Sequence, residues 1–129
     1  MQVHLQQVTV TSNDLDELNH VNNVRYLDWV QDIAKEHWQL ASQKKWEDEI
    51  VWVVRKHEIV YYGAALLEDV LQIRTYIKEN KGPISTRIVA FTNNKTGQLL
   101  VTSSTDWCLL DKKTLRPKRI PNDIAELFD

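Results

Sequence analysis

The spacing of apolar residues predicts one long helix near the start of the chain. Between residues 24 and 43 apolar side chains recur at steps of three and four, which is the spacing of one face of an α-helix. They are Val24, Leu27, Val30, Ile33, Ala34, Trp38 and Ala41. A polar loop, 12–23, precedes them, and Asn22 or Asn23 can cap the helix by accepting an N–H of its first turn. The predicted helix runs from Val24 to about Gln43.

Alternating and β-branched segments predict five strands. They cover residues 3–11, 50–62, 70–78, 84–93 and 99–110. Short turns containing glycine separate the last three, which indicates an antiparallel meander. After Pro121, the residues from Asn122 to Phe128 are expected to form one or two helical turns.

This order of elements, β-α-β-β-β-β, predicts the α+β fold class. One long helix has to cover one face of a five-stranded, mostly antiparallel sheet. The length of 129 residues suits a single domain, 1–129. The second face and the edges of such a sheet need covering, so we expect at least a dimer.

Composition narrows the possible partners. The net charge of −2 argues against a nucleic-acid-binding protein built on bulk phosphate contacts. One cysteine, Cys108, permits no internal disulfide and suits a reducing compartment. Neither a signal peptide nor an apolar run long enough to span a membrane is present, so a cytoplasmic protein without a membrane partner is expected.

The polar loop carries the candidate chemistry. Asp16 can activate water as a general base or attack a carbonyl carbon directly. His20 can hold substrate or water, or share in proton transfer, while Asn22 and Asn23 can orient a carbonyl or cap the helix. The start of the helix offers unpaired N–H groups to a developing oxyanion. These are the parts of acyl-group hydrolysis, although the same residue types also build ordinary turns and caps.

The loop resembles a known signature. The residues Asp14-Leu15-Asp16, His20-Val21-Asn22-Asn23, Tyr26 and Trp29 resemble the motif of hotdog-fold thioesterases. Both the bacterial acyl-CoA and hydroxybenzoyl-CoA thioesterases and the plant acyl-ACP thioesterases are similar, the plant enzymes more closely. Weaker matches follow at 68–73 and 111–121, so that the resemblance spans nearly the whole chain.

The resemblance implies a fold, an assembly and roles for residues. It implies a sheet wrapped around the helix, and a dimer of two sheets joined edge to edge, or a dimer of such dimers. The acyl group would enter between subunits. The family's catalytic carboxylate falls on Asp16, and the histidine of the plant-type enzymes falls on His20.

Three positions depart from the plant pattern. Leu18 stands where those enzymes have an Asn, and Tyr62 and Gly63 stand where they have a Glu-Cys pair. The simpler mechanism of the bacterial relatives, centred on an aspartate, therefore fits better.

The other polar residues can have structural roles as well as functional ones. Asp14 is expected to bond the backbone of its own loop, and Tyr26 either lines the acyl pocket or packs in the core. His37 is expected at a surface or an interface, and Asp106 in solvent. Several basic residues could contact the CoA nucleotide or be ordinary surface charges: Arg25, Arg55, Lys56, Lys78, Lys81 and Arg87. No metal-ligand spacing and no phosphate loop appear, so neither a metal nor a cofactor is expected.

The sequence thus predicts a thioesterase that hydrolyses acyl-CoA or acyl-ACP. Asp16, His20 and Asn23 are the expected catalytic residues, and Asn22 and Tyr26 the expected substrate-binding ones. A hotdog dehydratase acting on hydroxyacyl thioesters is one alternative, because the fold supports both reactions. A non-catalytic protein that binds acyl thioesters is the other.

Overall fold

The computed structural model describes residues 1–129 and contains one long helix against one sheet. The elements are β1 (His4–Thr9), α1 (Asn23–Ser42), β2 (Ile50–Tyr61), β3 (Val70–Lys81), β4 (Ile84–Asn93), β5 (Leu99–Asp111) and α2 (Asn122–Ala125). Short 3₁₀ turns cover Ser12–Asp14 and Glu126–Phe128. The predicted α+β class and the elements of the hotdog arrangement are confirmed.

The five strands form one antiparallel sheet in the order β1-β3-β4-β5-β2. The predicted meander of the last three strands is its centre. β1 and β2 each pair with one neighbour, so both are edge strands. The outer edge of β2 is therefore left with backbone groups that have no strand partner.

Helix α1 begins where its cap is made. The side chain of Asn22 accepts a hydrogen bond from the N–H of Val24, and the helix ends at Gln43, which adopts a left-handed conformation with φ 50°. Gln43 donates its N–H to the carbonyl of Gln39, as helix C-caps commonly do. The predicted bounds of the helix therefore agree with the structure within one residue.

The buried face of α1 is shifted from the predicted stripe. Val24 is 63% exposed, whereas Tyr26, Trp29 and His37 are buried. The expectation that His37 lies at a surface or interface is wrong, since its residual exposure is 3%. The sheet curls around the helix, so α1 buries a wider band than a single stripe of aliphatic residues.

Two apolar clusters fill the space between helix and sheet. The larger joins α1 to β3, β4 and β5 through the fully buried residues Val30, Ile33, Leu71, Phe91 and Val101. The smaller lies beyond the end of α1 and includes Trp46, Ile50, Leu109, Ile120 and Ile124. Burial of this apolar area is the main stabilising term of the fold.

Candidate active site

The loop before α1 is a small closed hairpin. Leu15 and Val21 form an isolated antiparallel bridge. Within it, the N–H of Asp16 donates to the carbonyl of His20 at 2.8 Å, and Asn19 takes a left-handed conformation with φ 61°. The N–H of Val21 donates to the carbonyl of Ala65 at 3.0 Å, which ties the loop to the segment after β2. The loop is thus a defined structure that fixes where its side chains project.

Asp16 holds the hairpin with one oxygen. Its Oδ1 accepts hydrogen bonds from the N–H groups of Leu18 at 2.9 Å and His20 at 3.2 Å. Its Oδ2 accepts none from the chain. A half-buried carboxylate with one oxygen fixed and one available has the arrangement that a positioned base or nucleophile needs.

Asp14 is committed to the scaffold. Its Oδ2 accepts from the N–H of Thr11 at 2.8 Å and its Oδ1 from Nε of Arg25 at 2.8 Å. Burial of this carboxyl opposes its ionisation, but the hydrogen bonds from Thr11 and Arg25 outweigh that effect and lower its pKa. Asp14 therefore stays ionised and pins the loop to the first turn of α1, with Arg25 engaged in this pair and in a second one with Asp28 at 3.2 Å.

The start of α1 leaves one amide free. Asn22 accepts the N–H of Val24 with its side chain at 3.0 Å and the N–H of Arg25 with its carbonyl at 2.9 Å. The N–H of Asn23 donates to no group in the chain. A free donor at the positive end of a helix can stabilise a developing oxyanion.

These groups share one cavity of about 400 Å³. Its walls include Asp16, His20 and Asn23, together with Tyr26 and the segment 61–64. The structure thus brings together four of the five predicted site residues. Asn22 is not among the lining residues, because its side chain caps the helix.

Tyr26 contributes mainly to the core. It is 2% exposed, and its ring meets Phe91 edge-on at 5.1 Å and Trp29 at 5.5 Å. Burial, with smaller contributions from neighbouring charges, raises the pKa of its phenol to about 12. Its hydroxyl makes no well-formed hydrogen bond, although the nearby backbone of Ala65 favours the phenolate slightly. Both expected roles are combined, since the residue packs in the core and also borders the cavity.

Another part of the cavity lining is the segment 61–64, in which the sequence singles out only Tyr62 and Gly63, as departures from the plant pattern. Tyr61 and Tyr62 are 41% and 57% exposed, and the hydroxyl of Tyr61 donates to the carbonyl of Asn23 at 3.2 Å. A Cβ on Gly63 would lie 2.9 Å from Nε2 of Gln98 and 3.2 Å from a methyl group of Leu100, so a side chain here would displace the end of the Gln98 side chain. The available signal was a pair of tyrosines at a strand end, which pattern alone does not place beside Asp16.

Three further polar or reactive residues, Cys108, Asp106 and Arg87, lie away from this cavity. Cys108 is buried. Asp106, expected in solvent, is partly buried and accepts a hydrogen bond from Oγ1 of Thr86 at 2.8 Å. Arg87 is 4% exposed, so it is not an ordinary surface charge, which was one of the two alternatives for it. No three His, Cys, Asp or Glu side chains are grouped so as to hold a metal, and no helix is long and apolar enough to cross a membrane.

Comparisons with known proteins show similarity to thioesterases. Residues 1–128 match the family described as the acyl-ACP thioesterase N-terminal domain. The chain is 25% identical over 125 residues to the long-chain acyl-CoA thioesterase FadM of Escherichia coli K12, covering 95% of each chain. It is 26% identical over 112 residues to the acyl-CoA thioester hydrolase YbgC of Escherichia coli O6:H1, covering 84% of this chain and 81% of that one.

Solved structures agree in fold. The probable thioesterase YbaW from Escherichia coli superposes with a TM-score of 0.87 at 24% identity, covering 95% of this chain and 94% of that one. A 4-hydroxybenzoyl-CoA thioesterase mutant complexed with 4-hydroxybenzoyl-CoA gives a TM-score of 0.88 at 20% identity over the whole of both chains. The fold, the loop at the helix start and the family match together show that this chain belongs to the acyl-ACP thioesterase family and is a hotdog-fold thioester hydrolase.

Proposed function

We propose that the protein hydrolyses acyl-CoA or acyl-ACP thioesters with Asp16 as its working carboxylate. The observation that carries the proposal is the pairing of two free groups on one cavity. Oδ2 of Asp16 and the N–H of Asn23 are both unused by the fold, and both residues line the same walls. One supplies the base or nucleophile and the other the oxyanion donor.

The chemistry follows from these two groups. The thioester carbonyl accepts from the N–H of Asn23, which polarises it. Asp16 removes a proton from a water whose oxygen attacks the carbonyl carbon, and the C–S bond then breaks to give the acid and a thiolate, which takes up a proton. In the alternative route, Asp16 attacks the carbon itself, the C–S bond breaks to expel the thiolate, and water then hydrolyses the resulting anhydride to the free acid and the Asp16 carboxylate.

Flanking polar groups position the reactants. The His20 ring, exposed on the cavity wall, can hold water or the thioester, as can the side-chain amide of Asn23. The free side-chain N–H₂ of Asn22 lies beside the helix start and can hydrogen-bond substrate outside the cavity. Tyr26 closes the apolar floor. No cofactor enters these steps.

The proposal includes a second copy of the chain. Large side chains that line the cavity are exposed in the single protomer, among them Leu18 at 70% and Tyr62 at 57%. The outer edge of β2 has no partner strand and carries Val53 and Val60 in exposed positions. Edge-to-edge pairing of β2 would satisfy its backbone groups and cover these residues, giving a homodimer, or a dimer of dimers, with the acyl group between subunits. A cytoplasmic location accompanies this proposal.

One experiment tests whether the acyl group is carried by CoA or by acyl carrier protein. The family is named for acyl-ACP, and two relatives are named for acyl-CoA. Release of free thiol is measured with purified protein on matched acyl chains of several lengths, each on CoA and on acyl carrier protein. We expect turnover on at least one carrier, abolished in Asp16→Asn. Absence of thiol release across both panels would refute the proposal, and formation of an enoyl product would support the dehydratase instead.

A further inference from the structure

A second cavity lies at the other end of α1. It has a volume of about 340 Å³, within the range of small-molecule sites. Its walls come from the second half of α1, the starts of β2 and β4, and the later parts of β3 and β5. They include the aromatic rings of Trp38, Trp52, Trp107 and Phe128. None of its lining residues borders the cavity of Asp16.

The two cavities are separated by packed core. Tyr26 borders the first cavity, and Ala34 is the nearest residue of α1 that borders the second; these two residues are about 12 Å apart along the helix at 1.5 Å per residue. Between them Val30 and Ile33 are completely buried in the main cluster. Within one protomer a ligand of the second cavity therefore does not reach Asp16.

Arg87 gives this cavity an unneutralised positive charge. It is 4% exposed and lines the cavity, yet no carboxylate lies within ion-pair distance of it. Its Nη1 donates to Nδ1 of His37 at 2.8 Å and to Oγ1 of Thr75 at 3.1 Å, while Nε and Nη2 donate to nothing in the chain. A buried charge of this kind destabilises the folded protein unless an anion pairs with it.

His37 does not supply that anion and does not remove the charge. Its Nδ1 accepts from Arg87, so its Nε2 carries the hydrogen and faces Oε1 of Gln2 at 3.2 Å. Burial, followed by the charge of Arg87, lowers the pKa of His37 to about 4, which keeps the ring neutral at physiological pH. The guanidinium is thus solvated by neutral acceptors on one side only.

The rest of the lining has the same electrostatic preference. Lys35, Lys44 and Lys112 border the cavity, against one carboxylate, Glu47. Two lining tryptophans, Trp52 and Trp107, carry buried indole N–H groups without an acceptor. The surroundings therefore offer an excess of cations beside an aromatic surface, which suits an anion attached to an apolar body.

We propose that this cavity binds a free carboxylic acid with an apolar body, its carboxylate on Arg87 and its body against the tryptophans. A planar guanidinium with free Nε and Nη2 presents two donors to the two oxygens of a carboxylate. The inference rests on the second cavity and holds whether or not Asp16 performs the proposed hydrolysis.

Binding of decanoate tests the proposal in the intact protein. Isothermal titration and tryptophan fluorescence are recorded with decanoate, with decanol as the neutral control and with inorganic phosphate as the anion without an apolar body. We expect saturable binding of decanoate, and binding at least about tenfold weaker for decanol because the charge-assisted hydrogen bonds are lost. Equal binding of decanol, or displacement of decanoate by millimolar phosphate, would overturn it.

Variants locate the site. Arg87→Met keeps an unbranched side chain and removes the charge. Arg87→Lys keeps the charge and removes the two parallel N–H donors of the guanidinium. Arg74→Met is the matched control, since Arg74 lies on β3 over Tyr76 and outside the cavity. Decanoate affinity should fall at least about tenfold in Arg87→Met, fall less in Arg87→Lys, and stay unchanged in Arg74→Met. Unchanged affinity in a folded Arg87→Met protein would place the ligand elsewhere, and the comparison of decanoate with decanol on the unmodified protein decides the matter if that variant does not fold.

Discussion

Replacing Asp16 by Asn should remove activity while leaving the fold intact. The amide keeps an oxygen that can accept from the N–H groups of Leu18 and His20, the two bonds that Oδ1 makes now. Stability should therefore change by less than about 1 kcal/mol, as for most partly exposed substitutions. The lost group is the free oxygen with its charge. Removing a general base costs roughly 10²- to 10⁴-fold in turnover, or about 3 to 5 kcal/mol of activation free energy.

Asp14→Asn is the matched control, two residues away, and should show the opposite pattern. Asp14 is buried and accepts from Thr11 and Arg25, so the amide loses charge-assisted hydrogen bonds and one acceptor. Because Arg25 is partly exposed, at 37%, we expect a loss at the lower end of about 1 to 3 kcal/mol. That corresponds to a fall in Tm of roughly 3 to 10 °C.

The assay pairs thermal unfolding with single-turnover thiol release for both variants. Asp16→Asn should lose rate at nearly constant Tm, and Asp14→Asn should lose Tm with a smaller loss of rate. If Asp16→Asn retains turnover within about threefold of the unmodified protein, the carboxylate chemistry belongs to another residue. If both variants lose rate equally at constant Tm, the division into a working and a scaffold carboxylate is refuted.

Further predictions concern the core, the histidine and the assembly. Ile33→Ala removes a completely buried side chain and should destabilise the protein by about 2 to 5 kcal/mol in urea unfolding. The pKa of His37 is lowered to about 4 in the folded protein, so between pH 6.5 and about 4 the unfolded chain binds more protons than the folded one. The free energy of unfolding should therefore decrease as the pH is lowered through that window, and His37→Gln should make the decrease smaller. Val60→Lys on the free edge of β2 should shift sedimentation toward monomer, whereas Lys at Leu115, 64% exposed on a distant turn, should not.

The local sequence pattern was enough to predict the helix and the strands, because residues that favour turns or caps stand at their ends. β4 has the predicted bounds, with Pro83 before it and the turn after Asn93 beyond it. β3 runs three residues past its predicted end, to Lys81, because its register shifts at Ile77 and Glu79 and the polar residues continue in a hairpin with β4. Pairing with a neighbour, which the segment's own composition does not contain, extended that strand.

The inside of the sheet was harder to predict than its strands. In β4 both alternating faces contain apolar residues, so alternation alone does not say which face meets the helix. The inward positions are Ser85, Arg87, Val89 and Phe91, and the first two are polar. The sequence therefore leaves Arg87 as either a contact to CoA or a surface charge, and it predicts a surface or interface position for His37, which faces Arg87 from α1. A buried polar pair is visible only once both elements are packed together.

The candidate site depends on how the chain satisfies the first amides of α1. A helix start has several free N–H groups, and here Asn22 takes two of them, leaving that of Asn23. The carboxylate of Asp14, bound to Arg25 on the first turn, then fixes the hairpin relative to that remaining amide. Asp16 is held within this hairpin by the N–H groups of Leu18 and His20. Residues outside the cavity thus set the distance between the proposed base, Asp16, and the proposed oxyanion donor, Asn23. This division explains why a motif of amides and carboxylates contains more polar groups than the proposed chemistry uses.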